Sequence, residues 1–341
     1  MSTSTSDDWR RRDFLTRSAA AGVAGLLLGV KPEPVAAEPP PETTTLTLPH
    51  LATICFAPQY VAEQLLRGEG FADVRYAKVP LGDDFYKFLG SANVSVTRDL
   101  AAAELVAMDE GHPLVILAGV HVGCYQLFGT NGVRTVRDLK GRTVAVPALR
   151  SGPHLILSII AANIGLDPRK DITWVEHPGE ESMALLAAGK VDAFLGFPPE
   201  PQELRAKKIG QLVLNTATDK PWSQYFCCVV AGDREFVRKY PVATKRALRA
   251  ILKATDVCGR EPARAAQLLV DKNYASRYDY AFQALQDVNY TKWREYNPED
   301  TVRFQALRLH ELGMIKTSPQ KIIAQGTDWR FLNELKKELK G

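Results

Sequence analysis

From residue 43 onward the apolar positions of this chain follow two periods in turn. Short runs that are apolar throughout, or apolar at every second position, mark strands, and longer stretches repeating every three to four residues mark helices. Strands are expected at 44–48, 74–79, 93–96 and 114–120, and helices at 60–67, 83–89 and 99–110, with Gly68, Gly70 and Gly111 as stops. The run LVILAGV at 114–120 is apolar on both faces, as a central strand of a covered sheet should be.

The alternation continues with strands at 143–146, 172–175, 193–197, 211–214 and 226–230. Between them lie a short helix at 136–139, helices at 151–163 and 180–188, and another after Pro198-Pro199-Glu200-Pro201. From 234 the pattern is almost wholly helical, with Pro241, Pro262, Pro298 and Pro319 at helix starts, where a missing N–H costs nothing. Alternating elements of this kind imply an α/β fold with a mostly parallel sheet. Two α/β halves and a helical tail imply two lobes with a crevice at the carboxyl ends of the strands.

The first forty residues have a different character. Polar residues precede Arg10-Arg11-Arg12, then Asp13-Phe14-Leu15, then a small-residue apolar run at 18–30, and Lys31 to Pro41 is rich in proline. This is the layout of an export signal, with Arg11 to Leu15 matching the R-R-x-F-L core of twin-arginine signals and cleavage expected after Ala37. The apolar run is short of the roughly 20 residues that a membrane span needs. The mature chain is therefore expected in the periplasm.

Composition narrows the function by exclusion. The chain has 341 residues, 45% hydrophobic and 24% charged, which fits a globular protein rather than a disordered or polytopic one. The formal charge of +4 and the lack of any basic block interleaved with aromatics argue against a nucleic-acid partner. Five cysteines, Cys55, Cys124, Cys227, Cys228 and Cys258, cannot all pair within the chain, and none has CxxC spacing, so buried thiols are expected. The six histidines show no HxH or HExxH pattern, so neither a metal nor a cofactor is expected, and His121 and His154 read as structural by default.

Taken in order, several segments resemble one family. They are Ala57-Pro58-Gln59-Tyr60-Val61-Ala62, Gly111-His112-Pro113-Leu114-Val115, Asp138-Leu139-Lys140-Gly141-Arg142 with Thr143-Val144-Ala145-Val146, Gly165-Leu166-Asp167-Pro168, Gly189-Lys190-Val191-Asp192-Ala193, and Phe236 with Pro241. The chain resembles the periplasmic substrate-binding proteins of ABC importers for nitrate, sulfonates and taurine, with their thiamine-pyrimidine relatives. That resemblance implies a type II periplasmic-binding-protein fold and a ligand captured by hinge closure. It implies lobe one at 44–121 plus 224–341, lobe two at 122–223, and a linker at 38–43. The partners it implies are a membrane permease and an ATPase, and the protein itself is expected to be a monomer.

Physics and resemblance together select the site residues. Ser151 and Gly152 stand at the start of the expected 151–163 helix, where Ser151 caps and free backbone N–H groups can hold an anion, with His154 close by. Thr97 and Arg98 open the expected 99–110 helix, and Arg98 either holds an acidic ligand or pairs with Asp99 or Asp84 on the surface. Phe56 is either a pocket wall or core, and Gln59 is a hydrogen-bond donor. Phe197 and Glu200 face the ligand from lobe two, with solvation the other reading for Glu200. Trp222 either stacks on a ligand or packs the hinge.

One enzyme class shares this resemblance, the aromatic sulfinate desulfinases, which use a Cys, a His and an Arg. Cys55 and Arg98 fall at suitable places, but no histidine lies between His50 and His112, and Phe85 or Phe88 cannot deprotonate a thiol. A ligand-sensing protein is a further alternative. The leading expectation is a non-enzymatic carrier of a small anion, with sulfonates and carboxylates ranked first, then nitrate, then a heterocycle.

Overall fold

A computed structural model describes residues 38–340, apart from 52, 80–84 and 92, and the expected export signal lies outside the described residues. Ten strands run through it: β1 Thr45–His50, β2 Asp73–Lys78, β3 Val96–Leu100, β4 Leu114–Val122, β5 Gln126–Gly129, β6 Arg142–Val146, β7 Ile172–Glu176, β8 Ala193–Gly196, β9 Gln211–Asn215 and β10 Phe226–Asp233. They form three sheets, β1-β2, β3-β10-β4 and β7-β6-β8-β5-β9.

The expectation of a mostly parallel sheet needs correction. β1/β2, β6/β7 and β6/β8 are parallel, but β10 runs antiparallel to both β3 and β4, and β5 runs antiparallel to both β8 and β9. The reason is that β5 and β10 each follow a crossover from one sheet to the other and enter the new sheet reversed. The sequence pattern missed β5, which is only four residues long and offers little periodicity.

The 3-stranded sheet is the dry centre of its half, since all nine residues of β4 are buried. The five-stranded sheet is covered on both faces. One face joins the main core through Val144, Leu127 and Leu195, and the other packs Phe128, Ala145 and Phe194 against Met183, Leu186 and Leu204. Helices after β10 start at Pro241, Pro262, Pro298 and Pro319, as the sequence predicts. They return to the 3-stranded sheet, where Thr301 Oγ1 accepts the Phe226 N–H and Asp109 accepts the Lys316 and Thr317 N–H groups. Among the described residues no helix is long and apolar enough to cross a membrane.

The chain passes between the two larger sheets twice, at 123–125 and 216–225, and the two passages are tied together. Thr216 donates through its N–H (3.0 Å) and its Oγ1 (2.9 Å) to the Tyr125 carbonyl, and Tyr125 N–H donates to Thr216 Oγ1 at 3.1 Å. Gly123, at φ +58°, lies so close to Ala217 that a Cβ there would sit 2.3 Å from the Ala217 backbone.

Candidate functional site

The site begins with strand register. On the 3-stranded sheet Arg98 faces Val230, and Cys228 faces Leu100 on one side and His121 on the other. Cross-strand partners and residues two apart project to the same face, so Arg98, Cys228 and His121 converge while Thr97 and Asp99 point the other way. This corrects the expected helix start, because Thr97, Arg98 and Asp99 lie within β3 and the helix begins at Ala101. It also removes the surface reading of Arg98, which is 1% exposed. Asp84 lies outside the described residues.

Arg98 is held by an imidazole and an aromatic ring. Its Nη1 donates to His121 Nε2 at 3.2 Å, and its guanidinium carbon stands 4.7 Å from the Phe56 ring centroid. Its Nε and Nη2 have no hydrogen-bond partner among the described residues, nor do the buried Thr97 Oγ1, His121 Nδ1 and Tyr290 hydroxyl. Arginine never gives up its proton, so these are fixed donors in a dry environment.

Thiols surround this cation. All five cysteines are buried and free, as expected. The Cys124 and Cys227 sulfurs are 3.1 Å apart, and the Cys228 sulfur is 4.0 Å from that of Cys227. Burial pushes the Cys124 and Cys227 thiols up. Hydrogen bonding with those two thiols, and after it the nearby Arg98 cation, draws Cys228 down against the effect of burial. Cys228 therefore supplies Arg98 with a counter-charge but leaves its Nε–H and Nη2–H without an acceptor. A nitrogen of His121 and the sulfurs of Cys124, Cys227 and Cys228 all lie within 4.8 Å of one another.

On the other face of β3 the acids are protected differently. Asp99 accepts from the Tyr86 hydroxyl (2.8 Å) and from the Leu100 N–H (2.7 Å), yet burial still pushes it up to about 6. Glu104 is wholly buried with neither carboxyl oxygen partnered among the described residues, and burial pushes it well above the usual carboxylate range.

The opposite wall comes from the five-stranded sheet. Thr53 Oγ1 donates to the Pro198 carbonyl at 3.1 Å, and the Phe197 ring lies 5.9 Å from that of Tyr125. Glu200 accepts the Phe197 N–H at 3.0 Å, and burial raises its carboxyl to about 8. It is half-buried and turned into its own loop, so the solvated reading does not apply. A Cβ on Gly152 would meet the Tyr125 hydroxyl at 2.8 Å and Leu100 at 3.2 Å, which shows how closely that helix start approaches β3. Trp222 packs against Phe304 (6.0 Å) and lines an aromatic recess with Tyr125, Ile156, Tyr225 and Cys227.

Three selected residues are engaged elsewhere. Gln59 donates to the Pro49 carbonyl at 2.6 Å. Ser151 does not cap with its side chain, because its hydroxyl donates to the Ala148 carbonyl at 2.6 Å. His154 Nδ1 accepts the Arg150 N–H at 3.0 Å with its ring against Trp174, and burial lowers it to about 4, so it is neutral. Of the selected residues, Phe56 lies over Arg98, Gly152 and Phe197 each lie against Tyr125, and Trp222 shares a recess with Tyr125 and Cys227. Sequence reasoning passed over the thiols and treated His121 as structural. The visible signals were the Cys227-Cys228 pair and His121 three residues before Cys124.

Comparison with known proteins agrees with this architecture. Nitrate-binding protein NrtA from Synechocystis PCC 6803 superposes with a TM-score of 0.73 at 18% identity, covering 89% of this chain and 90% of that one. The alkanesulfonate-binding protein SsuA from Xanthomonas axonopodis pv. citri, bound to MOPS, gives 0.67 at 18% identity over 86% of this chain and all of that one. SsuA from Escherichia coli gives 0.68 at 18% identity over 83% and 92%. These likenesses show the two-lobed α/β fold of periplasmic binding proteins. The nitrate import ATP-binding protein NrtC of Synechocystis is 26% identical over 141 residues, 38% of this chain, which spans about a fifth (21%) of that relative's length. Residues 92–270, just over half of the chain, match the NMT1-like family model, and the chain belongs to that family.

Proposed function

We propose that this chain is the solute-binding component of an ABC importer, carrying a small anion of the nitrate, sulfonate or carboxylate class through the periplasm to a permease and its ATPase. One observation carries the reading: a guanidinium buried to 1% exposure with two nitrogens that bond nothing among the described residues. A buried cation whose donors stay empty is costly, and an oxyanion accepting from Nε and Nη2 in a bidentate fork satisfies both at once. The aromatic surfaces of Phe56, Tyr125 and Trp222 suit the organic part of such a ligand. The nitrate-binding and sulfonate-binding neighbours support this class and support carriage rather than conversion, which tells against the desulfinase alternative.

In this reading lobe one is 44–121 plus 224–341, lobe two is 122–223, and the hydrogen-bonded passages at Tyr125 and Thr216 are the hinge. The carrier works as a monomer. Residues 1–37 carry it across the inner membrane by the twin-arginine route, so replacing Arg11 and Arg12 together by Lys strands it in the cytoplasm. Calorimetry against nitrate, sulfonates, carboxylates and pyrimidines gives micromolar or tighter binding of an anion. A chain that binds none of them, and instead releases sulfite from an aryl sulfinate through Cys55, overturns the reading.

A further inference from the structure

The thiol cluster beside Arg98 is more than the anion reading requires. A regular strand sends neighbouring side chains to opposite faces, so Cys227 and Cys228 should be separated by the sheet. The register of β10 against β4 shifts both between Phe226 and Cys228 and between Cys228 and Val229, and that bulge keeps the two sulfurs within 4.0 Å. Cys124 reaches the same point from another direction, just past the end of β4, where Gly123 at φ +58° turns the chain. His121, wholly buried, completes the group from within β4. Four soft or borderline ligands from two distant segments thus meet in one dry place.

We infer that Cys124, Cys227, Cys228 and His121 form a site for one divalent, sulfur-seeking cation of tetrahedral preference, the Zn(II) class. The donor set is Cys₃His, a common set for structural zinc. A tetrahedron with metal–sulfur bonds of about 2.3 Å has edges of about 3.8 Å. The sulfur separations of 3.1 and 4.0 Å bracket that edge, and all four donor atoms already lie within 4.8 Å of each other. Loading is acid–base chemistry with no redox step: the thiols give up their protons to the buffer, and each sulfur and one imidazole nitrogen donates a lone pair to the ion.

Two details of the surroundings favour this ion. Three thiolates, one divalent cation and the Arg98 guanidinium sum to zero charge, whereas a monovalent ion would leave a buried negative charge. The imidazole of His121 has only one lone pair when neutral. At present Nε2 uses it to accept from Arg98, and Nδ1 has no partner. Metal on either nitrogen places the ring proton on the other, so loading requires Arg98 to release Nε2.

The test uses the full chain, reduced and metal-free under anaerobic conditions, with no added organic anion or nitrate. Co(II) is titrated as the probe. The expected result is one equivalent bound with thiolate-to-cobalt charge-transfer absorption, abolished by one equivalent of Zn(II). Cys124→Ser and Cys227→Ser, each shown folded by circular dichroism, should bind more weakly by at least the roughly 10–100-fold that loss of a supporting group costs at metal sites. Cys258→Ser, outside the cluster, should bind like the parent. A folded, reduced parent chain that takes up neither ion overturns the inference. So does uptake undiminished in the Cys124→Ser/Cys227→Ser double variant, or a Cys124–Cys227 disulfide whose reduction yields no metal binding. These readings need no anion, so they stand or fall separately from the carrier function.

Discussion

Arg98 and His121, on strands separated by β10, meet through Nη1 and Nε2 at 3.2 Å, and no carboxylate among the described residues bonds the guanidinium. A buried arginine held by an imidazole and an aromatic face is positioned but left with two donors that bond nothing among the described residues. Its replacement is therefore the most direct test of anion capture. A charge-assisted hydrogen bond contributes about 1.5–3 kcal/mol. Arg98→Gln should weaken the best-binding anion by that amount, roughly 10- to 150-fold in Kd. Arg98→Lys should recover only part of it, because an ammonium cannot present the two-nitrogen fork. Equal calorimetric affinities for parent and Arg98→Gln would take Arg98 out of the site.

Anion binding should also take up a proton. Cys228 is held low, first by hydrogen bonding with Cys124 and Cys227 and then by the Arg98 cation. An arriving anion replaces the thiolate as the counter-charge of Arg98 and repels it, so the thiol re-forms. A group whose pKa rises on binding makes affinity increase as pH falls. Calorimetry in two buffers of different ionisation enthalpy reads the proton directly. Zero net uptake in the parent, or the same uptake in Cys228→Ser, would contradict this coupling.

How much of this was legible in the chain depends on sequence distance. β4 could be read because its apolar residues are contiguous, and the helix starts at Pro241, Pro262, Pro298 and Pro319 because proline acts locally. Arg98 was named, but Thr97-Arg98-Asp99 looked like a helix start because a polar trio before an alanine run is also how helices begin. Pairing with Cys228 to Val230 overrides that local preference. The thiol cluster was not legible, since Cys124 and Cys227 are 103 residues apart and a bulge brings the second pair onto one face. No local period encodes a bulge.

Glu200 makes the loop that starts at Phe197 sensitive to pH. Its carboxyl is raised from the ordinary 4.5 to about 8 by burial, with the Phe197 N–H pulling the other way. The unfolded chain ionises this group at lower pH than the folded chain does. Its contribution to stability is therefore full below about 4.5 and is lost as pH rises through about 8. Glu200→Gln keeps an acceptor for the Phe197 N–H and cannot ionise. The variant should match the parent near pH 4.5, and its Tm should fall less between pH 5 and 8. Parallel Tm profiles for the two proteins would show that Glu200 ionises freely in the folded loop.

The passages at 123–125 and 216–225 offer a test that separates space from backbone strain. Gly123 and Gly165 both adopt positive φ, +58° and +88°, so a side chain at either position meets the left-handed penalty of about 1–2 kcal/mol. Only Gly123 faces a wall, since its Cβ would stand 2.3 Å from the backbone of Ala217, whereas Gly165 has nothing within 4 Å. Backbone cannot yield as a side-chain tip can, so forcing the passages at 123–125 and 216–225 apart adds about 1–3 kcal/mol. It also strains the Tyr125–Thr216 hydrogen bonds that tie them. Chemical denaturation should then show Gly123→Ala destabilised by about 2–5 kcal/mol and Gly165→Ala by about 1–2. If the passages are the hinge, Gly123→Ala also weakens anion binding while Gly165→Ala does not, because only the first changes how the two sheets close on Arg98. Equal losses of stability in the two variants would mean that the passages part freely.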